Sequence, residues 1–330
     1  MTKIVSVILC TYNRSQSLAK ALESLAASKF PDSTDWEIMV IDNNSTDHTR
    51  DVAQEFCRRY PNHFRYIFEP QQGKSFALNT GIREARGEVL AFTDDDLTVD
   101  PSWLHDLTAP LFGNEWAGVG GRIRPERKFT QPKWLALEGE YEMGGLLVLF
   151  DQGNVSRELP KPPFGANMAF KSSLFKELGG FRTDLGPPPK IRGEDTEFCE
   201  RVMKAGYKFY YAASAINYHE IPEGRLKRSY FLPWWIGKGR AQVRSKKPQP
   251  PFWGGIPAEY RSMGNRILRR APKAIWYWIK EPNPSTRFFY KCQVWLLAGE
   301  VMELYAQAGR PNEPGEHFGT RTTSSDTGKT

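Results

Sequence analysis

The segment EVLAFTDDD, residues 88–96, leads from the strand-like run EVLAF through Thr93 into three adjacent aspartates. Adjacent carboxylates repel one another and do not suit a protein core. A hard divalent cation, by contrast, prefers carboxylate oxygens and commonly shares its coordination with the phosphates of a substrate. We therefore interpret Asp94, Asp95 and Asp96 as the place where the carboxyl end of a strand meets Mg²⁺ or Mn²⁺. The alternative for this segment, taken alone, is a solvated acidic turn.

Strand and helix signals alternate through the first hundred residues around this segment. Apolar and β-branched runs predict strands at 4–10, 36–42, 64–69 and 88–92. Helix patterns lie between them, at 15–28, from 45 onward and at 74–86. After residue 100, strands are predicted at 117–125, 164–170 and 207–213, and a helix at 194–205. The alternation predicts an α/β fold with right-handed crossovers and a mostly parallel central sheet flanked by helices.

Polar residues follow each of the first four predicted strands. The clusters are Thr11-Tyr12-Asn13-Arg14, Asp42-Asn43-Asn44, Gln71-Gln72-Gly73-Lys74 and Asp94-Asp95-Asp96. Ligands of open α/β sheets bind beyond the carboxyl ends of the strands, so these clusters should line one edge of the sheet. Any one of them is ordinary turn chemistry, but the four together predict a binding site.

The charge of the chain is distributed unevenly. The net charge is +7, yet residues 225–280 hold fourteen Lys and Arg and one acidic residue, Glu259, so this segment carries +13 and the remainder −6. Five of the ten tryptophans lie in the same segment: Trp234, Trp235, Trp253, Trp276 and Trp278. Basic charge with interleaved indole rings predicts peripheral contact with an anionic membrane surface. The alternatives are a nucleic acid partner, which no accompanying motif supports and which we do not expect, and a solvated basic face over core tryptophans.

Composition bounds the class of protein. Hydrophobic residues make up 40% of the 330 residues, enough for one large or two ordinary domains. No apolar run reaches the roughly 18 residues of a membrane-spanning helix, and no signal peptide pattern follows Met1. The four cysteines are widely spaced and form no C-x-x-C pair, so we expect neither a zinc site nor a disulfide framework, and a reducing cytosol as the compartment.

Four segments resemble the family 2 glycosyltransferases, which have the GT-A fold. They are VSVILCTYNR, VIDNNSTD, QQGKSFALNTGIREARGEVLAFTDDD and GEDTEFCERVMKAG, and the resemblance covers about residues 4–220. It implies a Rossmann-like nucleotide-diphospho-sugar transferase fold with a C-terminal helical extension. It also implies a divalent metal, Mn²⁺ or Mg²⁺, a nucleotide-diphosphate sugar as donor, by preference a UDP-sugar, and inversion at the anomeric carbon with an aspartate base.

The resemblance assigns roles residue by residue. The donor-binding residues that it implies are Thr11, Asn13, Arg14, Asp42, Lys74 and Asp94. To these we add Asp95 in the same aspartate run, Asn167 as the polar centre of a predicted strand, and Arg225, which follows shortly after His219 and is placed to reach the donor diphosphate. The metal ligands would be Asp96, Asp94 and His219. The catalytic base would be Asp195, with Glu194 beside it. Thr11 and Asn13 would begin the loop that holds the nucleotide base, and Asp42 would contact the base or the ribose.

The chemistry of sugar transfer requires the same residue types. Cleavage of the sugar–phosphate bond builds charge on the leaving diphosphate, and a divalent ion stabilises that charge. The acceptor hydroxyl loses its proton as it attacks, so a carboxylate must lie on the far side of the sugar. Asp195 suits this task at the start of a predicted helix. The alternative for Glu194 and Asp195 is N-terminal helix capping, where acidic residues are favoured anyway.

Departures from the family narrow the reaction. Processive polymer synthases carry a Q-x-x-R-W motif and several spanning helices, and this sequence shows neither, which predicts transfer of a single sugar. The segment LPWWIGKGRAQ, residues 232–242, follows the region of resemblance where acceptor contacts are expected. We predict that its tryptophans and basic residues receive a lipid-linked or cell-surface glycan acceptor.

The predicted organisation is a catalytic domain at 1–222, a basic, Trp-rich helical extension at 223–310 and a disordered tail at 311–330. Within the extension, 287–308 is predicted to be a helix, with Gln293, Glu300, Glu303 and Gln307 on one side. That helix either packs on the catalytic domain or lies in a membrane interface. We expect a cytoplasmic enzyme, peripheral at the inner face of the cytoplasmic membrane.

Two other functions use similar features. A sugar-1-phosphate nucleotidyltransferase shares the sheet and the metal, but its first loop is Gly-rich, whereas residues 11–14 contain no glycine. A non-catalytic glycan- or membrane-binding module is the second alternative. It has no need for Asp94, Asp96 and Asp195, which are all present.

Overall fold

The structure, a computed structural model, describes residues 3–29, 34–185, 193–245 and 258–308. The predictions for Trp253 and for the tail at 311–330 lie outside these ranges.

All strands of the described ranges belong to one sheet. They are β1 (Lys3–Thr11), β2 (Thr34–Asp42), β3 (Phe64–Phe68), β4 (Val89–Asp94), β5 (Leu97–Val99), β6 (Gly118–Pro125), β7 (Arg157–Leu159), β8 (Asn167–Lys171) and β9 (Phe209–His219). Their order in the sheet is β3-β2-β1-β4-β8-β6-β9-β5, and β7 also pairs with β9. The seven predicted strands are all present, and their ends agree with the prediction within about three residues except for β9, which continues to His219 beyond the predicted 207–213. Two short strands, β5 and β7, were not predicted.

The helices are α1 (Ser15–Ala26), α2 (Thr49–Arg59), α3 (Lys74–Glu84), α4 (Trp103–Thr108), α5 (Ser173–Leu178), α6 (Glu194–Lys204), α7 (Arg228–Ser245), α8 (Ala258–Lys280) and α9 (Pro284–Ala308). Short 3₁₀ helices lie at Ala109–Phe112, Gly144–Leu147 and Glu223–Leu226. No helix in the described part of the chain combines the length and the apolar character needed to cross a bilayer.

The sheet is parallel in its first half and mixed in its second. β3, β2, β1 and β4 pair in parallel as predicted, but β8 runs antiparallel to both β4 and β6. A parallel neighbour needs a crossover connection, usually a helix. Between β6 and β8 the chain forms only a short 3₁₀ helix and β7. The α/β class with flanking helices is confirmed, and parallel pairing holds among the first four strands and between β6 and β9.

Each face of the sheet is covered by its own apolar core. Side chains of β1 alternate between them: Val7 and Leu9 lie in the core shared with α1, α2 and α4, and Ile8 lies in the core shared with α3, α5 and α6. All three are fully buried, and burial of each such side chain contributes about 1.5–3 kcal/mol. Helices on both faces explain why these strands are apolar throughout.

The C-terminal helices form a third core. Phe231 and Trp235 of α7 and Phe288 and Leu296 of α9 pack there together with residues from the 135–147 segment, such as Leu147. The helix predicted at 287–308 therefore packs against α7 and the 135–147 segment. Its polar side faces inward rather than outward. Glu300 and Glu303 are fully buried and pair with arginines of α7 and α8.

Candidate functional site

The carboxyl ends of β2, β1 and β4 lie side by side. The strand register places Thr11 opposite Asp42 and Cys10 opposite Asp94. The polar clusters after these three strands are therefore neighbours at one edge, which we call the sheet edge. This is the arrangement that parallel pairing of the three strands requires.

Side-chain hydrogen bonds join the loops at the sheet edge. The Thr46 amide donates to Asn13 Oδ1 at 2.7 Å, and the Asn13 amide donates to Ser45 Oγ at 3.0 Å. Asn43 Nδ2 donates to the Gln71 carbonyl at 2.7 Å. Asn13 has a φ of 51°, a left-handed conformation that Asn adopts more readily than most residues. These bonds order the loops in which the nucleotide was predicted to bind.

Asp42 is buried, and both of its carboxylate oxygens are engaged. Oδ1 accepts from the Ser45 amide at 3.0 Å, and Oδ2 accepts from the Tyr66 hydroxyl at 2.8 Å. Burial and the hydrogen bond to Asp42 raise the pKa of Tyr66 to about 12, so the hydroxyl keeps its proton at neutral pH. Tyr66 was not predicted as a site residue. Tyr66 lies in β3 opposite Val40, two residues before Asp42 on the neighbouring strand, and this position is the signal that could have found it.

The three adjacent aspartates point to three different partners. Asp94 accepts from Lys74 Nζ at 2.7 Å. Asp95 is buried and accepts from the Thr11 hydroxyl at 2.7 Å, and burial raises its pKa to about 6. Asp96 pairs with Arg14 at 2.7 Å. Their mutual repulsion is relieved because each carboxylate has its own donor or cation.

Asp96 is the most heavily paired of the three. Besides Arg14, it contacts Arg225 Nη2 at 3.2 Å and lies 3.8 Å from His219 Nε2. Burial alone would raise its pKa. The interaction with His219 and the charge of Arg14 outweigh burial and hold the pKa of Asp96 well below its usual range. Asp96 is therefore ionised at neutral pH.

His219 reaches Asp96 because of the antiparallel pairing of β5 with β9. That pairing sets His219 opposite Leu97, the residue that follows Asp96. The imidazole is fully buried, and Arg225 Nη1 lies 2.8 Å from its Nε2. His219 and Arg225 thus both lie beside Asp96.

The donor atoms around Asp96 fit a divalent cation. A carboxylate oxygen and an imidazole nitrogen 3.8 Å apart are the ligand types that Mn²⁺ accepts. The described residues contain no group of three or more His, Cys, Asp or Glu arranged for a metal, so water and phosphate oxygens of a ligand would complete the coordination. Asp94, the third residue predicted as a metal ligand, pairs with Lys74 at 2.7 Å.

The loop before β8 places Asp195 near the sheet edge. Since β8 is antiparallel to β4, with Asn167 opposite Thr93, the residues just before β8 lie at the carboxyl end of β4. One of them, Gly165, donates its amide to Asp195 Oδ2 at 3.2 Å. Asp195 Oδ1 accepts from the Thr196 amide at 2.7 Å. The carboxylate therefore bonds an amide of the first turn of α6 and also reaches the β8 loop.

Lys74 bonds Asp94 directly and also interacts with the charges of Glu194 and Asp195. Desolvation would lower its pKa, but the charges of Asp94 and Glu194 outweigh that effect and raise the pKa, and Asp195 adds to it. Glu194 is buried, and burial, followed by the charge of Asp195, raises its pKa. Gly193 immediately precedes Glu194 and has a φ of 122°, a conformation in which a side chain would be strained. The two groups of carboxylates thus share one electrostatic environment.

Asn167 has a different role from the predicted donor contact. It is fully buried, and its Oδ1 accepts from Trp103 Nε1 at 2.8 Å. Its Nδ2 donates to the carbonyls of Arg122 at 2.9 Å and Ala215 at 3.0 Å. A polar side chain in a buried strand must be satisfied inside the protein, so the amide of Asn167 joins secondary-structure elements and is not available to a ligand.

The two tryptophans of α7 differ in exposure. Trp235 is 5% exposed and belongs to the third core, whereas Trp234 is half-buried. Lys238 Nζ lies 5.2 Å from the ring centre of Trp234 and 4.8 Å from that of Trp235. α7 also passes beside Gly193, since a Cβ on this glycine would lie 3.7 Å from Ala241. The segment expected to meet the acceptor therefore lies next to the residue that precedes α6.

Comparisons with known proteins agree on one family. The model of glycosyl transferase family 2 matches residues 6–179. Glycosyltransferase AglE of Haloferax volcanii is 31% identical over 242 residues, which cover 72% of this chain and 73% of that protein. The glucosyl-dolichyl phosphate glucuronosyltransferase of the same organism is 25% identical over 255 residues, 74% of this chain and 79% of that protein.

A solved structure shares the fold. The mannosyltransferase PcManGT from Pyrobaculum calidifontis, in complex with GDP-Man and Mn²⁺, aligns with a TM-score of 0.60 at 21% identity and covers 92% of this chain and 87% of that chain. At this identity the likeness shows the fold alone, and it confirms the predicted GT-A architecture.

Proposed function

The chain belongs to glycosyl transferase family 2, and we propose that it moves a single sugar from a nucleotide-diphosphate donor to a lipid-linked or cell-surface glycan acceptor, with inversion. A UDP-sugar is the preferred donor. One observation carries the proposal: the Gly165 amide, two residues before β8, donates to Asp195 Oδ2 at 3.2 Å, and β8 sets Asn167 opposite Thr93, the residue before Asp94. This closeness supports a nucleotide-sugar site at the aspartate run with a base for the acceptor beside it.

The donor would bind through its charge and its nucleoside. Asp42, held by Tyr66, suits a base or ribose contact. Arg14, Lys74 and Arg225 surround the aspartates and suit the diphosphate, since guanidinium and ammonium groups are the usual phosphate partners. These three cations now pair with Asp94 and Asp96. When the donor binds, they would also contact its phosphates.

Asp96 and His219 would hold the divalent metal, Mn²⁺ or Mg²⁺. A cation there supplies positive charge that stabilises the leaving diphosphate. The complex of PcManGT with GDP-Man and Mn²⁺ supports a nucleotide-diphosphate sugar and a divalent metal as ligands of this fold. Asp94 pairs with Lys74, so in this proposal it helps to bind the nucleotide-sugar donor and does not bind the metal.

Asp195 would act as the general base. Its two oxygens are oriented by the amides of Gly165 and Thr196, which aim the carboxylate without neutralising it. As the acceptor oxygen attacks the anomeric carbon, its proton passes to Asp195, and the diphosphate leaves from the opposite face. That in-line geometry inverts the configuration. Glu194, buried and hydrogen-bonded to the Gly193 amide at 3.1 Å, would position Asp195 rather than touch the sugar.

The acceptor side and the cellular location follow from α7 and the relatives. One relative is named for a reaction on glucosyl-dolichyl phosphate, which supports a lipid-linked acceptor for this chain. α7 runs beside Gly193, the residue before α6, and the basic C-terminal helices suit an anionic surface. We therefore place the enzyme in the cytoplasm, peripheral at the inner face of the cytoplasmic membrane. The nucleotidyltransferase alternative is not retained, because the family is one of glycosyl transfer.

The test is a panel of nucleotide sugars, each with Mn²⁺, scored by thermal stabilisation and by release of the nucleotide diphosphate. One donor class should stabilise the wild type in a metal-dependent way, and Asp96→Ala should lose that response. Asp51→Ala, on the exposed face of α2, is the matched control and should behave as wild type. If no nucleotide sugar produces a response, the proposed donor class is wrong and the proposal fails. For the active pair, NMR of the product should show an inverted anomer.

A further inference from the structure

The outer face of α8 exposes a continuous apolar surface. Leu268 is 72% exposed, Ile279 64% and Trp276 62%. At about 100° per residue, Leu268, Pro272, Ile275 and Ile279 fall within about 60° of one another, and Trp276 adjoins them. We call these five residues the α8 strip. A groove runs along the strip and has Lys280 as the one charged residue among those that line it. Surface apolar residues are usually scattered, so a contiguous strip indicates a contact surface.

The inner face of α8 is already occupied, so the helix cannot turn the strip inward. Met263 and Ala274 are buried. Arg266 and Arg270 lie 3.4 Å and 3.7 Å from Glu300 of α9. Farther along, the ring of Tyr277 stacks on Tyr290 of α9 with centres 4.6 Å apart. These contacts set the rotation of α8 about its axis.

A row of positive charge borders the strip. Residues 261–280 contain six Arg and Lys and no Asp or Glu. Arg269, Lys273 and Lys280 are exposed and fall within about 40° of one another, on the side of the strip next to Trp276. An apolar face, an indole at its border and a basic row beyond it form the pattern of a helix that lies in the plane of a membrane interface.

We propose that the α8 strip docks this protein on an anionic lipid bilayer. The helix lies parallel to the membrane, the strip enters the boundary between headgroups and acyl chains, and Arg269, Lys273 and Lys280 contact lipid phosphates. Charge complementarity selects this partner. Two copies joined strip to strip would bring two basic rows together, with no acidic side chain in residues 261–280 to neutralise them.

This inference rests on the proposed peripheral membrane location and assigns that contact to one surface, the α8 strip. Trp235, which the sequence predicted to share the membrane contact, is a core residue. Docking through α8 leaves α7 to border the acceptor side of the site. The strip itself contains none of the residues assigned to the donor or to proton transfer, so docking and chemistry are tested separately.

The first experiment is flotation of the full chain with phosphatidylcholine vesicles, with and without phosphatidylglycerol. The wild type should float with the anionic vesicles. The double variant Trp276→Ser, Ile279→Ser should bind them at least about tenfold more weakly, because two large apolar side chains no longer enter the interface. Val155→Ser, at a residue that is 68% exposed outside the C-terminal helices, is the matched control and should bind as wild type.

Charge is tested separately. Lys273→Gln and Lys280→Gln should each weaken binding to anionic vesicles about fivefold, the effect of roughly 1 kcal/mol per basic residue at such a surface. Arg58→Gln, an exposed arginine of α2, should have no effect. Equal binding of all basic-row variants would overturn the proposed role of the row.

Hydrogen exchange supplies a readout that misfolding does not imitate. With anionic vesicles, backbone amides of residues 261–280 should gain protection in the wild type and not in the double variant. Release of nucleotide diphosphate in solution should be the same in both, so loss of docking is distinguishable from loss of sugar-transfer activity. The proposal is overturned if the wild type does not float, if the double variant floats equally, or if the strip instead mediates self-association without lipid.

Discussion

A methyl group at Gly165 should disable the proposed base without removing any catalytic group. The amide of Gly165 donates to Asp195, and the side chain of Asp195 lies directly against the glycine. A Cβ built on Gly165 would lie 2.9 Å from both Cβ and Cγ of Asp195. Gly165→Ala therefore forces the carboxylate to move.

The size of the effect follows from these distances. Carbon atoms rest about 3.5–4.0 Å apart at their optimal separation, so the Asp195 side chain must shift by roughly 1 Å. A displacement of that size in a reacting group costs about a hundredfold in rate. The donor residues on β1, β2 and β4 do not touch Gly165. We therefore expect kcat to fall about a hundredfold, with little change in the KM of the donor.

Steady-state transfer assays with the donor identified in the panel measure both constants. Gly113→Ala is the matched control, because its added Cβ would meet the nearest atom at 3.6 Å, an ordinary contact. The variant Asp195→Asn should lose activity by about a hundredfold to ten-thousandfold, the usual contribution of a general base. Adding Gly165→Ala to Asp195→Asn should cost little more, since the base is already absent.

Two results would refute this reasoning. A Gly165→Ala enzyme with the kcat of the wild type would show that the position of Asp195 does not matter. Additive losses in the double variant would show that the methyl group acts through something other than Asp195.

Three further predictions concern stability and donor binding. Burial alone would raise the pKa of Glu303, but hydrogen bonds from two arginines of α7 outweigh burial and lower the pKa. The ionised carboxylate therefore stabilises the fold fully above the ordinary pKa of Glu, and this stabilisation is lost as the pH falls through the lowered pKa. Glu303→Gln should thus be about 3 kcal/mol less stable in urea at neutral pH, with the deficit shrinking below about pH 4, and a deficit independent of pH would contradict the assignment. Gly239→Ala should destabilise by about 1–3 kcal/mol or more in the same assay, because its Cβ would meet backbone of α9, whereas Gly264→Ala, in open space, should not. Tyr66→Phe removes the hydroxyl that donates to Asp42 and should raise the KM of the donor about tenfold with kcat unchanged; unchanged donor affinity by calorimetry would argue against that role of Asp42.

Local patterns were sufficient for much of the fold and for the position of the site. The period of apolar residues located seven strands, because strand and helix periodicity are properties of neighbouring residues. The carboxyl ends of parallel strands then had to meet at one edge, so Thr11 and Asp42 could be placed together before any contact was known. The same local reasoning failed for Asn167. In sequence it is a polar residue in a strand, and only its burial reveals that its amide is fully used inside the protein.

The C-terminal helices show the opposite case. Charge and tryptophan content indicated a membrane-facing segment, but composition does not say which side of a helix faces out. The structure buries Trp235 and the acidic side of α9, and it exposes the α8 strip. These outcomes depend on how three helices pack against one another, and a pattern within any one of them does not contain that information.

The sequence by itself determined the α/β fold, the family and the polar clusters that end the strands, because each of these is written in residues close together in the chain. Only the tertiary structure decided which cation each aspartate meets, and that Asp96, rather than Asp94, lies with His219. The reason is separation along the chain: Thr11 bonds Asp95 across 84 positions, and Arg225 reaches Asp96 across 129. Pairings over such distances follow from strand order and direction, which local periodicity does not specify.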